Sequence, residues 1–232
     1  MESTDYQFLG KGIYTVTEAA KLIRVSQSRI RRWLRGYTYA YGKESRLSNP
    51  LVSADYQPLD KFLALSFLDL MEMRFVNAFL EYGISLRKIR IAVKRAQEII
   101  NQSHPFTSKK FHTDRRTILM EIATRENEQE LLDLVKNQYA MKKVFAPYLF
   151  RGIVFDNNDR LYLWYPLVPK KSIVIDPSRN FGQPVLNTEG IPTATIAGSY
   201  NAEHSISAVS RWYNIKKSSV ADALEFERTI AA

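Results

Sequence analysis

The chain has 232 residues, 45% of them hydrophobic and 12% aromatic, with a net charge of +9 and no cysteine. A chain of this kind can bury a core in one large domain or in two to three small ones, which excludes a disordered protein. The composition also excludes disulfides, thiol catalysis and cysteine-based zinc sites, and no run approaches the ~20 apolar residues of a membrane-spanning helix.

The positive charge lies entirely in the first part of the chain. Residues 171–232 contain six basic and six acidic side chains and are neutral, so the whole +9 belongs to residues 1–170. Clustered lysine and arginine favour a polyanionic partner, and we expect the two parts to bind different partners. Because the N-terminus lacks the apolar segment of a signal peptide, we expect a cytoplasmic protein.

The first predicted element is a helix-turn-helix. Thr15 and Glu18 have the spacing of a capping box, which starts a first helix. Ser26 offers a second N-cap, and a second helix is predicted over Gln27–Arg35, ended by Gly36. Two short helices joined in this way are typical of DNA-binding proteins.

A wing-like hairpin is predicted next. Tyr37, Tyr39 and Tyr41 alternate with small residues, and the following Gly42-Lys43 has turn chemistry. From residue 24 to residue 46 there are seven basic side chains and one acid.

This basic stretch could be only a solvated helix face, but it coincides with a helix-turn-helix and a hairpin. The first residues of a recognition helix contact base edges, while neighbouring arginines and lysines contact phosphates. We therefore predict that this stretch binds duplex DNA and is more than a solvated surface. The predicted DNA-binding residues are Gln27, Ser28, Arg29, Arg31, Arg32, Arg35, Lys43 and Arg46.

Two longer helices are predicted in the middle of the chain. Residues 61–80 are strongly apolar on one side, and Ser85 caps a helix that reaches about Asn101. Apolar residues recur along the latter at spacings of 3 and 4, which is typical of a short dimerisation seam. The predicted homodimer contacts are Leu86, Ile89, Val93, Ala96 and Ile100.

The remaining elements are shorter. Residues 102–120 are predicted to be a loop leading into short strands, and 126–142 to be a helix. A β-hairpin is predicted around Asn157-Asn158. Three short helices should close the chain, and Trp212 is expected in their core.

The last helices repeat the pattern of the first two. Ala19, Val25 and Ile30 have the same spacing as Val209, Ile215 and Val220, and Ser218, like the serine of the first turn, has the position of an N-cap. A second helix-turn-helix is therefore predicted. Its last helix carries acidic residues, which phosphate would repel and which suit a protein partner better.

The sequence contains no motif typical of an enzyme. The three histidines lie in separate segments without a second ligand at useful spacing, so we expect no metal and no cofactor. The acidic run at residues 156–159 is interpreted as a hairpin turn. No nucleophile motif or distinctive carboxylate pair is present, and we expect a protein that is not an enzyme.

These elements predict a mainly α fold with short β-hairpins, in the α+β class. We expect a winged helix-turn-helix over residues 1–60, a helical dimerisation region with a β-hairpin over 61–170, and a three-helix, helix-turn-helix-like domain over 171–232.

Two resemblances extend this interpretation. Residues 14–36 and the segment Leu80–Arg90 resemble the DNA-binding unit of MerR-type regulators, although Arg24 stands where such turns usually carry glycine. The segments His104–Arg116, Ile175–Val185, Gly190–Ala197 and Val220–Glu227 resemble VapB-type antitoxins, in which a helix-turn-helix half precedes a small C-terminal domain of unknown function.

The second resemblance implies an antitoxin of a bacterial type II pair. Such a protein blocks a PIN-like ribonuclease toxin and represses its own operon by binding operator DNA. Arginine pairs well with the carboxylates of a metal-dependent nuclease, and large aromatic side chains anchor protein interfaces. The candidate toxin-binding residues are Arg211, Phe226 and Arg228.

Two other functions stay open at this point. A MerR-like regulator would sense a small ligand in the 102–170 region and have no toxin. An RNA-binding module has weaker support, since the basic residues follow a helix-turn-helix and not an aromatic-studded sheet.

Overall fold

A computed structural model describes residues 10–42, 44–57, 62–129 and 147–231 of the chain. It consists of helices and small two-stranded sheets, which confirms the predicted α+β class. The helices are α1 Val16–Ile23, α2 Gln27–Arg35, α3 Phe67–Glu81, α4 Leu86–Ile100, α5 Lys109–Arg125, α6 Pro147–Phe150, α7 Thr193–Glu203, α8 Ile206–Tyr213 and α9 Lys217–Ala231. The strands are β1 Tyr14–Thr15, β2 Tyr37–Tyr41, β3 Glu44–Ser48, β4 Ala64–Leu65, β5 Ile153–Phe155, β6 Leu161–Trp164, β7 Ile173–Val174 and β8 Val185–Leu186.

The chain forms two compact units. The N-terminal unit comprises Thr15–Phe150 and Phe155–Leu161, and the C-terminal unit comprises Met1–Tyr14, Arg151–Val154 and Tyr162–Ala232. The three-domain division stays a prediction. Within the described residues, no helix has the length and apolar character needed to cross a membrane.

The predicted helix-turn-helix is confirmed in the N-terminal unit. Thr15 caps α1 and forms the reciprocal capping box with Glu18. Arg24 ends the helix in the left-handed conformation with φ 55° and ψ 47°, which a residue other than glycine adopts at a cost in strain. Ser26 then caps α2, whose C-cap is Gly36.

Helix α3 is the centre of the N-terminal unit. It is buried around most of its circumference, and Phe67, Leu70, Phe75 and Phe79 are each at most 1% exposed. A helix of this composition must be covered on all sides. It begins at Phe67 and not near residue 61, because Ser66 caps it with a capping box.

Helix α5 corrects the prediction of a loop and strands over residues 102–120. Pro105 begins a short 3-10 turn, and the Ser108 hydroxyl accepts a hydrogen bond from the Phe111 N–H, which caps the new helix. Glu126 is the C-cap of α5 and does not start the helix predicted over 126–142. Of that segment, residues 130–142 lie outside the described part of the chain.

The core of the C-terminal unit is built on β7 and β8. These strands pair antiparallel, and Ile173, Val174, Val185 and Leu186 are fully buried. Helices α7, α8 and α9 pack on one another. The predicted hairpin around Asn157-Asn158 is also confirmed, with β5 and β6 as its strands.

The second helix-turn-helix is confirmed as well. Val209 and Val220 are fully buried, as the repeated spacing predicted, and Ile215 is half-buried. Ser218, however, does not cap α9, because the helix begins one residue earlier at Lys217.

Candidate nucleic-acid interface

Helix α2 separates its apolar and basic side chains. Ile30, Trp33 and Leu34 are buried at 0%, 2% and 7% exposure and attach the helix to the N-terminal unit. The backbone carbonyl of Trp33 accepts a hydrogen bond from the Leu51 N–H at 2.8 Å, which ties the segment after the wing to this helix. The opposite face is directed to solvent.

That solvent face carries the predicted DNA-binding side chains of the helix. Gln27 is half-buried at its start. The exposed members are Ser28, Arg29, Arg31, Arg32 and Arg35. Four guanidinium groups on one helix face form a surface suited to phosphates, because arginine binds oxyanions through paired N–H groups.

Three of the arginines are held in place by the chain itself. The Arg29 guanidinium donates to Oδ1 of Asn77 at 3.2 Å, and that of Arg31 donates to Oε1 of Gln27 at 3.1 Å. The Arg32 guanidinium lies over the Tyr37 ring, 5.3 Å from its centroid. Such contacts reduce the side-chain entropy that would be lost on binding.

Asn77 was not predicted as part of the site. It lies on α3, is 7% exposed, and donates through its amide to Oε1 of Glu81 at 2.8 Å while accepting from Arg29. The link spans 48 residues, so no local pattern in the sequence signals it. Helix α3 thus fixes one arginine of α2.

The wing is a regular antiparallel hairpin. Tyr37 pairs with Ser48, and Tyr39 with Arg46. Helix α4 supports its base, since the Arg90 guanidinium donates to Oγ of Ser48 at 2.9 Å and to the carbonyl of Asn49 at 2.8 Å.

Gly36 is required where α2 meets the wing. Its φ is +73°, and a Cβ at this position would lie 2.3 Å from the Ser48 carbonyl oxygen. No other residue type fits so close to the paired strand without a backbone shift.

The two faces of the wing differ. One carries Tyr39, 42% exposed, beside Arg46, whose guanidinium forms an exposed ion pair with Glu44 at 3.3 Å. The other face is exposed and uncharged, and Leu47 on it is 70% exposed. The predicted DNA contact Lys43 lies outside the described residues.

A buried polar network supports the N-terminal end of α3. Nε2 of His104 lies 2.8 Å from Oδ1 of Asp69, and these side chains are 2% and 0% exposed. Oδ2 of Asp69 accepts from the backbone N–H groups of Ser66 and Asp55. Burial lowers the pKa of His104, but the hydrogen bond to Asp69 and the charges of Glu72 and the two aspartates outweigh it and raise the pKa above its ordinary value.

Glu72 belongs to the same network. It is 1% exposed, and the Phe106 N–H lies 3.0 and 3.3 Å from its two carboxylate oxygens. Burial raises the pKa of Glu72 to about 8, although His104 and the backbone N–H groups act in the opposite direction. Burial thus favours the protonated form of this carboxyl group.

The structure brings His104 together with two carboxylates that sequence spacing did not reveal. Potential ligand atoms of Asp55, Asp69 and His104 lie within 4.8 Å of one another. The partners are 49 and 35 residues from the histidine (104 − 55 and 104 − 69). Because the Ser66 hydroxyl donates to Asp55 at 2.6 Å and Asp69 is hydrogen-bonded through both oxygens, we interpret the cluster as structural.

The predicted dimer seam is largely occupied within the chain. Ile89, Val93 and Ala96 are 1%, 3% and 0% exposed, because α4 packs against α5 and the 3-10 turn at Pro105–Thr107. Leu86 and Ile100 are half-buried. Side chains already covered by their own chain cannot form the centre of an interface between two copies.

The candidate toxin-binding residues separate in the structure. Arg211 and Arg228 are exposed, whereas Phe226 is 2% exposed and fills the core of the C-terminal unit. Trp212, which was expected in that core, is 63% exposed. Each of the two aromatic side chains therefore lies in the environment predicted for the other.

Comparisons with protein families identify both parts of the chain. Residues 12–93 match a family described as a putative DNA-binding helix-turn-helix domain. Residues 173–226 match a family described as a protein of unknown function, DUF433. The helix-turn-helix assigned from the capping pattern is thereby confirmed, while its MerR-like character stays a prediction.

A relative extends over nearly the whole chain. It is named putative antitoxin VapB45 of Mycobacterium tuberculosis (strain ATCC 25618 / H37Rv), and it is 26% identical over 222 residues, which are 92% of each protein. The crystal structure of Rv2018 from Mycobacterium tuberculosis has the same fold, with a TM-score of 0.69, 24% identity, and coverage of 91% of this chain and 96% of that one. The resemblance to VapB-type antitoxins is confirmed: the chain is a relative of a putative VapB antitoxin, with a DNA-binding helix-turn-helix domain followed by a DUF433 domain.

Proposed function

We propose that this protein is a non-catalytic antitoxin that represses its own operon by binding DNA and neutralises a PIN-like ribonuclease by direct binding. The exposed arginine face of α2 carries the proposal, because it lies on the second helix of a helix-turn-helix beside a wing. The relationship to a protein named as a putative VapB antitoxin supports the toxin half.

The DNA-binding mode follows from the geometry of α2. Gln27 and Ser28 stand at the start of the recognition helix, where side chains reach base edges in the major groove. Arg31, Arg32 and Arg35 follow along its solvent face and would neutralise backbone phosphates. Arg46 places a further cation on the wing.

The operator is proposed to be an inverted repeat bound by a homodimer, since a two-fold protein matches a two-fold site. The interface must lie outside the covered centre of the α4 seam, because Ile89 and Val93 are buried in the chain. Light scattering of the full chain, with and without operator DNA, would measure how many copies associate. A single copy per inverted repeat would contradict the proposal.

The DNA half is tested with the full chain and the promoter region of its own gene. Raising salt from ~50 to ~200 mM should weaken binding on the order of 10³-fold if six or more phosphates are neutralised. Replacing Arg32 and Arg35 with alanine should weaken binding to every sequence and lower the salt slope by about two. Arg125→Ala, also an exposed arginine of the N-terminal unit, is the matched control and should bind as the wild type does.

The base-reading positions are tested in parallel. Gln27→Ala and Ser28→Ala should change the preferred sequence more than the overall affinity, because base contacts carry the specificity. Promoter binding without any salt dependence, or none at all, would contradict the DNA half of the proposal.

The toxin half is tested by co-purification with the ribonuclease encoded next to this gene and by rescue of cells that express it. The wild-type chain should inhibit RNA cleavage in proportion to the fraction of the ribonuclease that it has bound. A neighbouring reading frame without nuclease activity, or a nuclease that this chain leaves fully active, would contradict it and favour a regulator without a toxin.

A further inference from the structure

The two helix-turn-helix units match residue for residue from the first helix through the turn to the start of the second helix. Helix α1 begins at residue 16 and α8 at 206, and α2 begins at 27 and α9 at 217, a constant offset of 190 in both cases (206 − 16, 217 − 27). Arg24 and its equivalent Asn214 are both left-handed, with φ 55° and 50°. The next N–H in each turn, Val25 or Ile215, bonds to the carbonyl five residues earlier, at 3.1 and 3.0 Å.

This equivalence shows that α9 does not repeat the chemistry of α2. The positions of Arg32 and Arg35 are occupied by Asp222 and Glu225 in the second unit (32 + 190, 35 + 190). The ammonium group of Lys170 contacts both carboxylates, at 2.8 and 3.0 Å. Carboxylates at the phosphate-facing positions, even with one lysine between them, oppose docking of this helix onto duplex DNA.

The equivalence also identifies an uncovered side chain. Leu22 on α1 is 8% exposed, and α1 packs against α3 as well as α2. Its equivalent on α8 is Trp212 (22 + 190), which is 63% exposed. The tryptophan is therefore exposed at a position where the first unit has a buried leucine.

The exposed charged residues next to Trp212 in the sequence are cations. Arg211 precedes it, and Lys216 and Lys217 lie across the turn; all three are exposed. Residues 204–221 contain no acidic side chain. An exposed tryptophan beside arginine has the composition of an interface hot spot, and these cations favour a partner surface rich in carboxylates.

We propose that the turn surface, defined as Arg211, Trp212, Lys216 and Lys217, is the docking site for the ribonuclease toxin, with the Trp212 indole as its anchor. The inference rests on the proposed antitoxin function. On the toxin, the complementary site is an apolar pocket rimmed by carboxylates. A metal-dependent nuclease carries carboxylates that hold its metal ion. Phe226 is buried in the core of this unit and is not part of the turn surface.

The test measures affinity of the full chain for the ribonuclease encoded beside its gene, by calorimetry. Trp212→Ala should weaken binding at least about 30-fold, the factor that corresponds to a hot spot of ~2 kcal/mol. The double variant Lys216→Glu, Lys217→Glu should bind the nuclease more weakly than Trp212→Ala does, and its affinity should depend less on salt. Phe181→Ala, which truncates another exposed aromatic of the same unit, is the matched control and should bind normally.

The outcomes separate the inference from the proposed function. If the wild type binds and Trp212→Ala binds within about 3-fold of it, the turn surface is not the docking site. If Trp212→Ala keeps the nuclease but loses promoter DNA, the surface binds nucleic acid and the inference is overturned. If the wild type itself fails to bind the nuclease, the proposed antitoxin function fails and the inference with it.

Discussion

The imidazole of His104 is hydrogen-bonded to the carboxylate of Asp69 at 2.8 Å, with both side chains at most 2% exposed. Asp69 also accepts the backbone N–H of Ser66, the N-cap of α3, and that of Asp55, which attaches a preceding segment to the helix. We therefore expect Asp69→Ala to cost on the order of 3 kcal/mol of unfolding free energy, because it leaves buried donors without a partner.

Urea unfolding at pH 7 measures this loss. Asp114→Ala, which removes a carboxylate from the exposed side of α5, should change the unfolding free energy by less than about 0.5 kcal/mol. Equal effects of the two variants would show that the network contributes little.

Glu72 should make the N-terminal unit less stable as the pH rises. Its pKa is about 8 in the folded protein against an ordinary 4.5, so its contribution is fully present below pH 4.5 and is lost between there and about pH 8. The raised pKa of His104 has the same sign. His112, whose pKa burial lowers to about 4, has the opposite sign up to its ordinary pKa of 6.5, so the decline is expected above pH 6.5.

Replacing Glu72 with glutamine should flatten this decline without abolishing it, since His104 still titrates. Unfolding free energies at pH 5, 6, 7 and 8 provide the measurement. Glu203→Gln, an exposed residue with the same charge change, should leave the profile unaltered. A wild-type stability that increases from pH 7 to pH 8 would contradict the prediction.

Asn77 should affect DNA binding without contributing charge. Asn77→Ala removes the acceptor that holds Arg29 at 3.2 Å but keeps the guanidinium. We expect a loss of affinity of about 3- to 10-fold with an unchanged salt slope. Arg29→Ala should instead lower both, because it removes a counterion-releasing contact. Fluorescence anisotropy across a salt series separates the two, and identical slopes for both variants would refute the positioning role.

Gly36 and Gly42 form a matched pair for the wing. Both have positive φ, at +73° and +63°, but only at Gly36 would a Cβ meet backbone, the Ser48 carbonyl oxygen at 2.3 Å. Gly36→Ala should therefore abolish tight DNA binding and lower the melting temperature, whereas Gly42→Ala should cost only about 1 kcal/mol of backbone strain. Thermal melting and promoter binding of both variants decide this.

Local signals in the sequence predicted the framework well. The capping box of Thr15, the N-cap Ser26 and the closing Gly36 each act within one turn, so both helices of the first unit were located correctly. The repeated apolar spacing predicted the second unit for the same reason. Comparison with known families then confirmed the helix-turn-helix.

The failures concern information that a linear pattern does not contain. Helix α5 was missed because charged and polar residues separate its buried Phe111 from Ile118 and Leu119. Apolar periodicity also does not say which apolar side chain another element will cover, so Trp212 and Phe226 were assigned to the wrong environments.

Contacts between side chains far apart in the sequence could not be predicted for a related reason. Arg29 and Asn77 are 48 residues apart, and His104 and Asp69 are 35 apart. Such contacts exist only after α3 has packed against its neighbours. The polar part of the site is thus a product of the fold and not of any motif.

The register of the wing hairpin limits where residues can be inserted into it or deleted from it. Tyr39 faces its partner Arg46 on one side, while Thr38 and Leu47 face each other on the opposite side. Because side chains alternate along a strand, one residue inserted or deleted within a strand would move the side chains of that strand to the other face. In β3 such a change would place a leucine on the face that now carries an arginine. Length variation among related chains should consequently be confined to the turn between the strands or occur within them in steps of two.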